Sequence, residues 1–262
     1  MNIEKSFLHN IGHHLAKYLS QPRTDIVQIA TSPPEQLAET LQRGDVLLVD
    51  GSSRVSGVIK YLTQSSWSHA ALYVGSGNTL KGDNQEEKVL LEADILEGVR
   101  LVHLSEYSSG HTRICRPVGL SKDDIEQLIT YAVERLGHQY DLKNIFDLAR
   151  YLVLPTPIPT RWRRKLLTLG SGDPTRAICS SLIAQAFQSI RYPILPDIDY
   201  RPTKGPKGRI SSQQTLSIRH HSLFMPRDFD VSPYFEIIKP AIRHNFDSKT
   251  LNWEPLPPAE ES

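Results

Sequence analysis

The sequence predicts a mixed fold in which an antiparallel sheet is followed by helices. Short apolar runs separated by turn signals occupy the region between residues 44 and 117, and apolar residues recur at helical spacing after residue 121. The chain has 262 residues and is 39% hydrophobic, which allows a proper core in one large domain or two small ones. A disordered chain is therefore disfavoured.

Charge and cysteine content narrow the classes of function. The 30 basic and 29 acidic residues give a formal net charge of +1, which offers no overall field to attract nucleic acid. The two cysteines cannot form a disulfide framework in a chain of this length. We therefore expect no nucleic-acid partner and a fold that does not depend on oxidation.

Residues 1–43 are predicted to form an N-terminal helical extension. Apolar residues recur at helical spacing over residues 3–18 and indicate an amphipathic helix, and Pro33 and Pro34 begin a second, shorter helix. The apolar stripe either packs on the body of the protein or lies on a membrane surface, and the sequence leaves both open.

The beginning of the chain does not resemble an export signal. Glu4 and several histidines interrupt the region where a signal peptide needs an apolar run. The sequence contains no run of about 18 consecutive apolar residues, the length that a membrane-spanning helix needs. It therefore predicts no membrane-spanning helix. We therefore expect a cytoplasmic protein, and a peripheral membrane contact through the N-terminal helix stays an open alternative.

Five strands are predicted after the turn dipeptide Gly44-Asp45. Each is a short apolar run bounded by turn residues, and a helical stretch over residues 55–62 separates the first two. Because the later connections are short, an antiparallel meander is expected. The predicted strands are Val46 to Val49, His69 to Gly75, Lys88 to Ile95, Val99 to Leu104 and Arg113 to Pro117.

Helices dominate the following region. Ser121 and Asp124 resemble a capping box that opens a helix ending at Gly137, and a second helix is predicted from Asp141 until Pro155 stops it. A basic loop at residues 161–165 precedes the helix that contains Cys179.

Three further segments complete the predicted organisation. Residues 191–222 carry four prolines and are predicted to be irregular. A last strand is predicted over residues 234–238, and the tail beyond Trp253 is predicted to be disordered.

Cys179 is the candidate nucleophile. It lies near the beginning of a predicted helix that Asp173-Pro174 or Thr175 can cap. The positive end of a helix, together with an adjacent imidazole, lowers the pKa of a cysteine thiol and makes the thiolate available. The alternative is a buried free cysteine that behaves as a small hydrophobe, and Cys115, in the middle of a predicted strand, is assigned to that class.

His69 and Glu92 are the candidate partners of this cysteine. His69 follows the small polar run from Ser65 to Ser68 and opens a strand, where its side chain can enter a cleft. Glu92 lies inside an otherwise apolar strand, where a carboxylate is costly unless it is paired. Alternation along the strand also allows the simpler interpretation that Glu92 faces outward.

Motifs of several other enzyme classes are absent from the sequence. It contains no G-x-S-x-G, H-E-x-x-H, G-x-G-x-x-G or P-loop motif and no paired C-x-x-C. The sequence therefore lacks the usual evidence for four enzyme classes, namely serine-elbow hydrolases, zincins, dinucleotide enzymes and P-loop NTPases. We expect neither a cofactor nor a metal.

Six segments in a fixed order resemble a known family. They are GDVLL at 44–48, WSHAALYVG at 67–75, LEA at 91–93, ICSSLI at 178–183, PRDFD at 226–230 and SPY at 232–234. Together they resemble the circularly permuted papain-like hydrolases of the NlpC type, specifically the YiiX/YebB-like group. The resemblance spans roughly Gly44 to Pro240, which defines a hydrolase domain at 44–240 and a C-terminal tail at 241–262.

The resemblance implies an α+β fold with a circularly permuted papain-like arrangement. In it, an antiparallel sheet that carries the histidine packs against helices, including the helix of the nucleophile. It implies Cys179 as nucleophile, His69 as general base and then acid, and Glu92 as the polar group that fixes the imidazole. His69 precedes Cys179 in the chain, which is the order of the permuted group.

Substrate contacts are assigned to three further residues. Tyr140 resembles a tyrosine that precedes the cysteine in related enzymes, and it is predicted to line the pocket. Ser68 and Ser180 adjoin His69 and Cys179 in the sequence and are predicted to contact the substrate.

The predicted function is a cysteine hydrolase or amidase that cleaves a peptide-like amide bond through a thioester acyl-enzyme. One alternative is a lipid acyl hydrolase or acyltransferase of the lecithin retinol acyltransferase type. The N-terminal helix and the basic aromatic loop at 161–165 favour it, although a solvated turn also explains the loop. The second alternative is a non-catalytic binding protein on the same fold. The expected partner is a small peptide-like or acyl substrate, and the oligomeric state is not predicted.

Overall fold

The structure is a computed structural model of the chain. It describes residues 17–18, 20–21, 30–76, 88–94, 97–138, 178–204, 210–243, 247 and 249. In these ranges, helices pack on a six-stranded antiparallel sheet, and two further strands form a separate hairpin. The predicted α+β class is confirmed.

The helices and strands are numbered here along the described residues. The helices are α1 (Pro34–Thr40), α2 (Arg54–Thr63), α3 (Lys122–Val133), α4 (Ile178–Ser189), α5 (Pro226–Asp230) and α6 (Pro240–Arg243). The strands are β1 (Val46–Val49), β2 (His69–Ser76), β3 (Lys88–Asp94), β4 (Gly98–His103), β5 (Thr112–Pro117), β6 (Asp197–Lys204), β7 (Ile210–Ser217) and β8 (Phe235–Ile238). Short 3-10 turns occupy Leu104–Tyr107 and His221–Leu223.

The order of strands in the large sheet is β4-β3-β2-β1-β5-β8. The first four strands form the predicted meander. The extension of this meander to β5 is wrong, because β5 pairs with β1 on the far side of the sheet from β4. This crossing gives β1 a neighbour on each side and leaves all four of its residues buried.

Both faces of the sheet are covered. Val46 and Leu48 of β1 face a core that includes Leu128 of α3 and Phe187 of α4, whereas Leu47 and Val49 face a second core with residues of α1. This two-sided burial explains why β1 is a continuous apolar run rather than an alternating one. Within the first core, Tyr192, Phe229 and Phe235 surround the ring of Phe187.

The capping box of α3 is confirmed. The main-chain N–H of Asp124 donates to Ser121 Oγ (3.1 Å), and the main-chain N–H of Ser121 donates to Asp124 Oδ2 (2.9 Å). These bonds satisfy amide groups that the first turn of a helix leaves without partners.

The prediction of an irregular segment at 191–222 is wrong, since β6 and β7 pair over eight residues each. Proline was the misleading signal. Both strands of an isolated hairpin are edges, so Pro202 within β6 is compatible with the ladder even though it has no N–H.

Several sequence predictions concern residues outside the described ranges. They are most of the amphipathic helix at 3–18, the helix at 141–153, the loop at 161–165 and the tail after Trp253. In the part of the chain that the structure describes, no helix is long and apolar enough to cross a membrane.

A buried ion pair connects the turn before β1 to β5. The side chain of Asp45 is 1% exposed and that of Arg116 is 17% exposed. The guanidinium donates to both carboxylate oxygens, with Nε–Oδ1 at 2.9 Å and Nη2–Oδ2 at 2.7 Å, and it also donates to the carbonyl of Thr40. Arg116 therefore holds α1, the turn and the neighbouring strand together.

Replacing Arg116 by methionine is expected to lower the free energy of unfolding by about 3 kcal/mol, because it leaves a buried carboxylate without its cation. Urea denaturation at neutral pH measures the loss. The matched control is Arg43→Met, which removes an arginine from a more exposed pair with Glu126 and is expected to cost less than about 1 kcal/mol. Equal small losses in the two variants would contradict this account.

Candidate active site

Three elements bring the predicted catalytic residues together. His69 is the first residue of β2, Glu92 lies in the neighbouring strand β3, and Cys179 is the second residue of α4. Helix α4 packs over β2 and β3. Cys179, the predicted nucleophile, and His69 therefore lie where the helix and the strand begin.

Glu92 is paired with the imidazole of His69. Its Oε2 lies 2.5 Å from His69 Nε2, and the side chains are 2% and 23% exposed respectively. The interpretation of Glu92 as an outward-facing strand residue is therefore wrong. A carboxylate buried this deeply needs a charged or hydrogen-bonding partner, and His69 is one.

The side chain of His69 also interacts with that of Cys179. Because Nε2 faces Glu92, Nδ1 is the ring nitrogen that remains for the sulfur. Burial lowers the pKa of His69. The charge of Cys179 and the hydrogen bonds to Cys179 and Glu92 outweigh it, and the pKa lies well above its ordinary value of 6.5. These surroundings therefore favour the protonated form of the imidazole.

Two residues that the sequence analysis missed complete the surroundings of Glu92. Arg100 donates from Nε to Glu92 Oε1 at 2.8 Å, and the hydroxyl of Tyr107 donates to Glu92 Oε2. Burial raises the pKa of Glu92, but the hydrogen bonds from His69 and Tyr107 and the positive charges lower it to about 2. Glu92 is therefore ionised throughout the physiological range.

A sequence signal existed for only one of the two missed residues. Arg100 is the direct cross-strand partner of Glu92 in the β3–β4 pairing, so the predicted hairpin would have located it once the register was known. Tyr107 lies in the 3-10 turn after β4, where no periodicity fixes the direction of a side chain.

Cys115 differs from Cys179 as predicted. It lies in β5 opposite Val46 and is fully buried. Burial and the charge of Asp230 raise the pKa of its thiol far above the ordinary value. Cys115 is a structural cysteine that remains a neutral thiol.

The predicted substrate contacts stay predictions, and the two serines are placed as follows. Ser68 is buried, and its Oγ accepts from the main-chain N–H of Gly51 at 2.9 Å. Ser180 is also buried, and its Oγ donates to the carbonyl of Phe224 at 2.8 Å. Both hydroxyls therefore bond to the protein's own main chain next to the catalytic residues. Tyr140 lies outside the described residues.

The described ranges contain no group of three or more His, Cys, Asp or Glu side chains that could hold a metal ion. The chemistry available at this site is that of a thiol, an imidazole and a carboxylate. Such a chain of groups suits nucleophilic attack on a carbonyl carbon.

Replacing Glu92 by glutamine is expected to flatten the acid limb of the stability profile. Since the pKa of Glu92 is about 2 in the folded protein and 4.5 ordinarily, its ionised form stabilises the fold fully above pH 4.5, and this is lost as the pH falls towards 2. The difference between the two pKa values corresponds to about 3 kcal/mol.

Urea denaturation of the wild-type and Glu92→Gln proteins between neutral and acid pH measures this effect. The wild-type protein should lose more stability than the variant on acidification. Parallel acid limbs for the two proteins would show that Glu92 is not held ionised by the fold.

Comparison with known protein families gives a match over part of the chain. Residues 40–151 match the family model described as "Permuted papain-like amidase enzyme, YaeF/YiiX, C92 family". A search of curated proteins found no match. Among solved structures, the crystal structure of the metalloprotein yiiX from Escherichia coli O157:H7 aligns with a TM-score of 0.43 and 16% identity, covering 76% of this chain and 96% of that chain.

The matched segment contains His69, Glu92, Arg100 and Tyr107, and it ends before Cys179. The resemblance predicted from the sequence is thus confirmed over residues 40–151, which are similar to the permuted papain-like amidases of the YaeF/YiiX type.

Proposed function

We propose that the protein is a cysteine amidase that cleaves a peptide-like amide bond through a thioester acyl-enzyme. The observation that carries the proposal is that the imidazole of His69 interacts both with Cys179 and with the buried carboxylate of Glu92. The amidase description of the family that matches residues 40–151 supports it.

In the first proposed step, the Cys179 thiolate attacks the carbonyl carbon of the substrate and forms a carbon–sulfur bond. The carbon–nitrogen bond then breaks, and the imidazolium of His69 donates its proton to the departing amine. Main-chain N–H groups at the beginning of α4 are the proposed donors to the oxyanion. The products of this step are a free amine, a thioester and a neutral imidazole.

In the second step, neutral His69 accepts a proton from water as the water oxygen attacks the thioester. The carbon–sulfur bond breaks, the acid is released, and the thiolate–imidazolium pair is restored. Glu92 stays ionised in both steps and stabilises the imidazolium, because its pKa of about 2 lies far below that of the histidine. No proton needs to reach the carboxylate.

The imidazole is the more exposed member of this pair, since Cys179 is 4% exposed and the side chain of His69 is 23% exposed. We propose a small peptide-like substrate that approaches from the side of the imidazole. The lipid-directed alternative depends on residues 3–18 and 161–165, nearly all of which lie outside the described ranges.

Cys179 is expected to react with iodoacetamide at neutral pH more than about tenfold faster than Cys115, because His69 lies beside Cys179 as its proposed proton acceptor, whereas burial raises the pKa of the Cys115 thiol. Mass spectrometry of the two cysteine peptides gives both rates in one sample. The His69→Asn variant separates chemistry from access, since it should slow Cys179 and leave Cys115 unchanged. Equal alkylation rates for the two cysteines in the wild-type protein would contradict the proposal.

Activated acyl esters such as p-nitrophenyl acetate are expected to acylate Cys179 and add one acyl group to its peptide. A thioester made in this way should be released by neutral hydroxylamine, which cleaves thioesters readily, while the Cys179→Ser variant should carry no hydroxylamine-sensitive adduct. Intact-protein mass spectrometry follows both events. An adduct that persists in hydroxylamine, or that forms elsewhere, speaks against an acyl-enzyme on Cys179.

A further inference from the structure

The two oxygens of Glu92 are divided between different partners. Oε1 accepts from Arg100, whose Nε and Nη2 both lie 2.8 Å away. Oε2 accepts from His69 and from the hydroxyl of Tyr107. The donors come from three segments, namely β2, β4 and the 3-10 turn after β4.

We propose that Arg100 and Tyr107 are positioning residues of the catalytic pair, which act through Glu92 by keeping its carboxylate ionised and directing Oε2 at His69. This inference rests on the proposed function. Neither residue touches the reacting sulfur in the proposed steps, so their effect on the chemistry passes through the carboxylate and the imidazole.

Arg100 is held in place independently of Glu92. Its Nη1 lies 3.0 Å from Glu97 Oε2, and its Nη2 lies 3.8 Å from Glu106 Oε2. The guanidinium is thus fixed between three carboxylates, of which Glu92 is nearly buried while Glu97 and Glu106 are substantially exposed. Arg100 is therefore preorganised to supply the positive charge that a buried carboxylate needs.

Tyr107 supplies a neutral donor beside the imidazole. Its ring lies 6.0 Å from the ring of His69, and its side chain is partly buried. Burial and the charge of Glu92 raise the pKa of the phenol, so the hydroxyl keeps its proton at any physiological pH. Because Tyr107 and His69 donate to the same oxygen, the hydroxyl restricts the rotation of the carboxylate that faces the imidazole.

The charged and titratable groups around Glu92 in the described ranges contribute to the expected pH dependence. They are His69 on β2, Arg100 on β4, Tyr107 in the 3-10 turn and Cys179 on α4, with Asp94, Glu97 and Glu106 acting on Arg100. Loss of Arg100 raises the pKa of Glu92, and protonated Glu92 no longer stabilises the imidazolium. The low-pH limit of Cys179 reactivity should then move to higher pH.

The test measures the rate of Cys179 alkylation by iodoacetamide from acid to neutral pH, with Cys115 as the internal reference. Tyr107→Phe and Arg100→Gln are each expected to slow Cys179 about tenfold at neutral pH, the loss that follows from removing a hydrogen bond to a charged group. Arg100→Gln should also raise the low-pH limit of the reaction, and Tyr107→Phe should do so to a smaller extent.

A double-mutant cycle shows whether the two residues act through the carboxylate. In the Glu92→Gln background, neither Tyr107→Phe nor Arg100→Gln should slow Cys179 further. The matched controls are Tyr61→Phe and Arg43→Gln, which remove a phenol and a guanidinium from distant sites and should leave the rate unchanged. If Arg100→Gln fails to fold, Arg100→Lys replaces it and should give a smaller decrease, because one ammonium replaces two nitrogen contacts.

The outcomes separate this inference from the proposed function. The inference is overturned if Cys179 of the wild-type protein is alkylated fast and the Tyr107 and Arg100 variants show the same rates and pH limits. That result would leave the amidase proposal intact. Rates that fall by the same factor with and without the Glu92 carboxylate also overturn it, since the residues would then act on the fold in general. Slow wild-type alkylation would instead refute the proposed function on which the inference rests.

Discussion

The buried carboxylate of Glu92 is the interaction on which the arrangement of this site depends. An ionised carboxylate with 2% exposure is stable only where donors surround it, and here they arrive from β2, β4 and the turn that follows β4. The carboxylate of Glu92, which faces the imidazole, therefore also connects β3 to β2, to β4 and to the turn after β4. The proposed catalytic role and the structural role are therefore combined in one side chain.

The sheet supplies the rigid support for this charge. Its central strand β1 is buried on both faces, and β2 lies directly beside it with His69 opposite Val49. Two residues before His69, the indole of Trp67 donates to Asp230, which also pairs with Arg113 of β5. The beginning of β2 is thus tied to α5 and β5, and the position of the imidazole is restricted from outside the site as well.

How much of this could be predicted depended on whether a feature was local. Cys179, His69 and Glu92 were found because each residue type stood out in its own segment, and the order of the segments resembled a family. Arg100 and Tyr107 were missed because their contacts with Glu92 exist only across the β3–β4 pairing and the turn after it. Two features of strand pairing were missed for the same reason: β5 lies beside β1 rather than beside β4, and β6 and β7 form a hairpin. Strand pairing depends on distant partners and on register.

The central claim is that Cys179 and His69 form an ion pair that ionised Glu92 supports. Nitrogen NMR of isotope-labelled histidine, with the His69 signal identified by comparison with His69→Gln, reports the protonation of this ring directly. The account predicts a doubly protonated ring at neutral pH in the wild-type protein and a lowered pKa of His69 in Cys179→Ala. A neutral His69 ring in the wild-type protein, or a pKa that does not change when the thiol is removed, would contradict it.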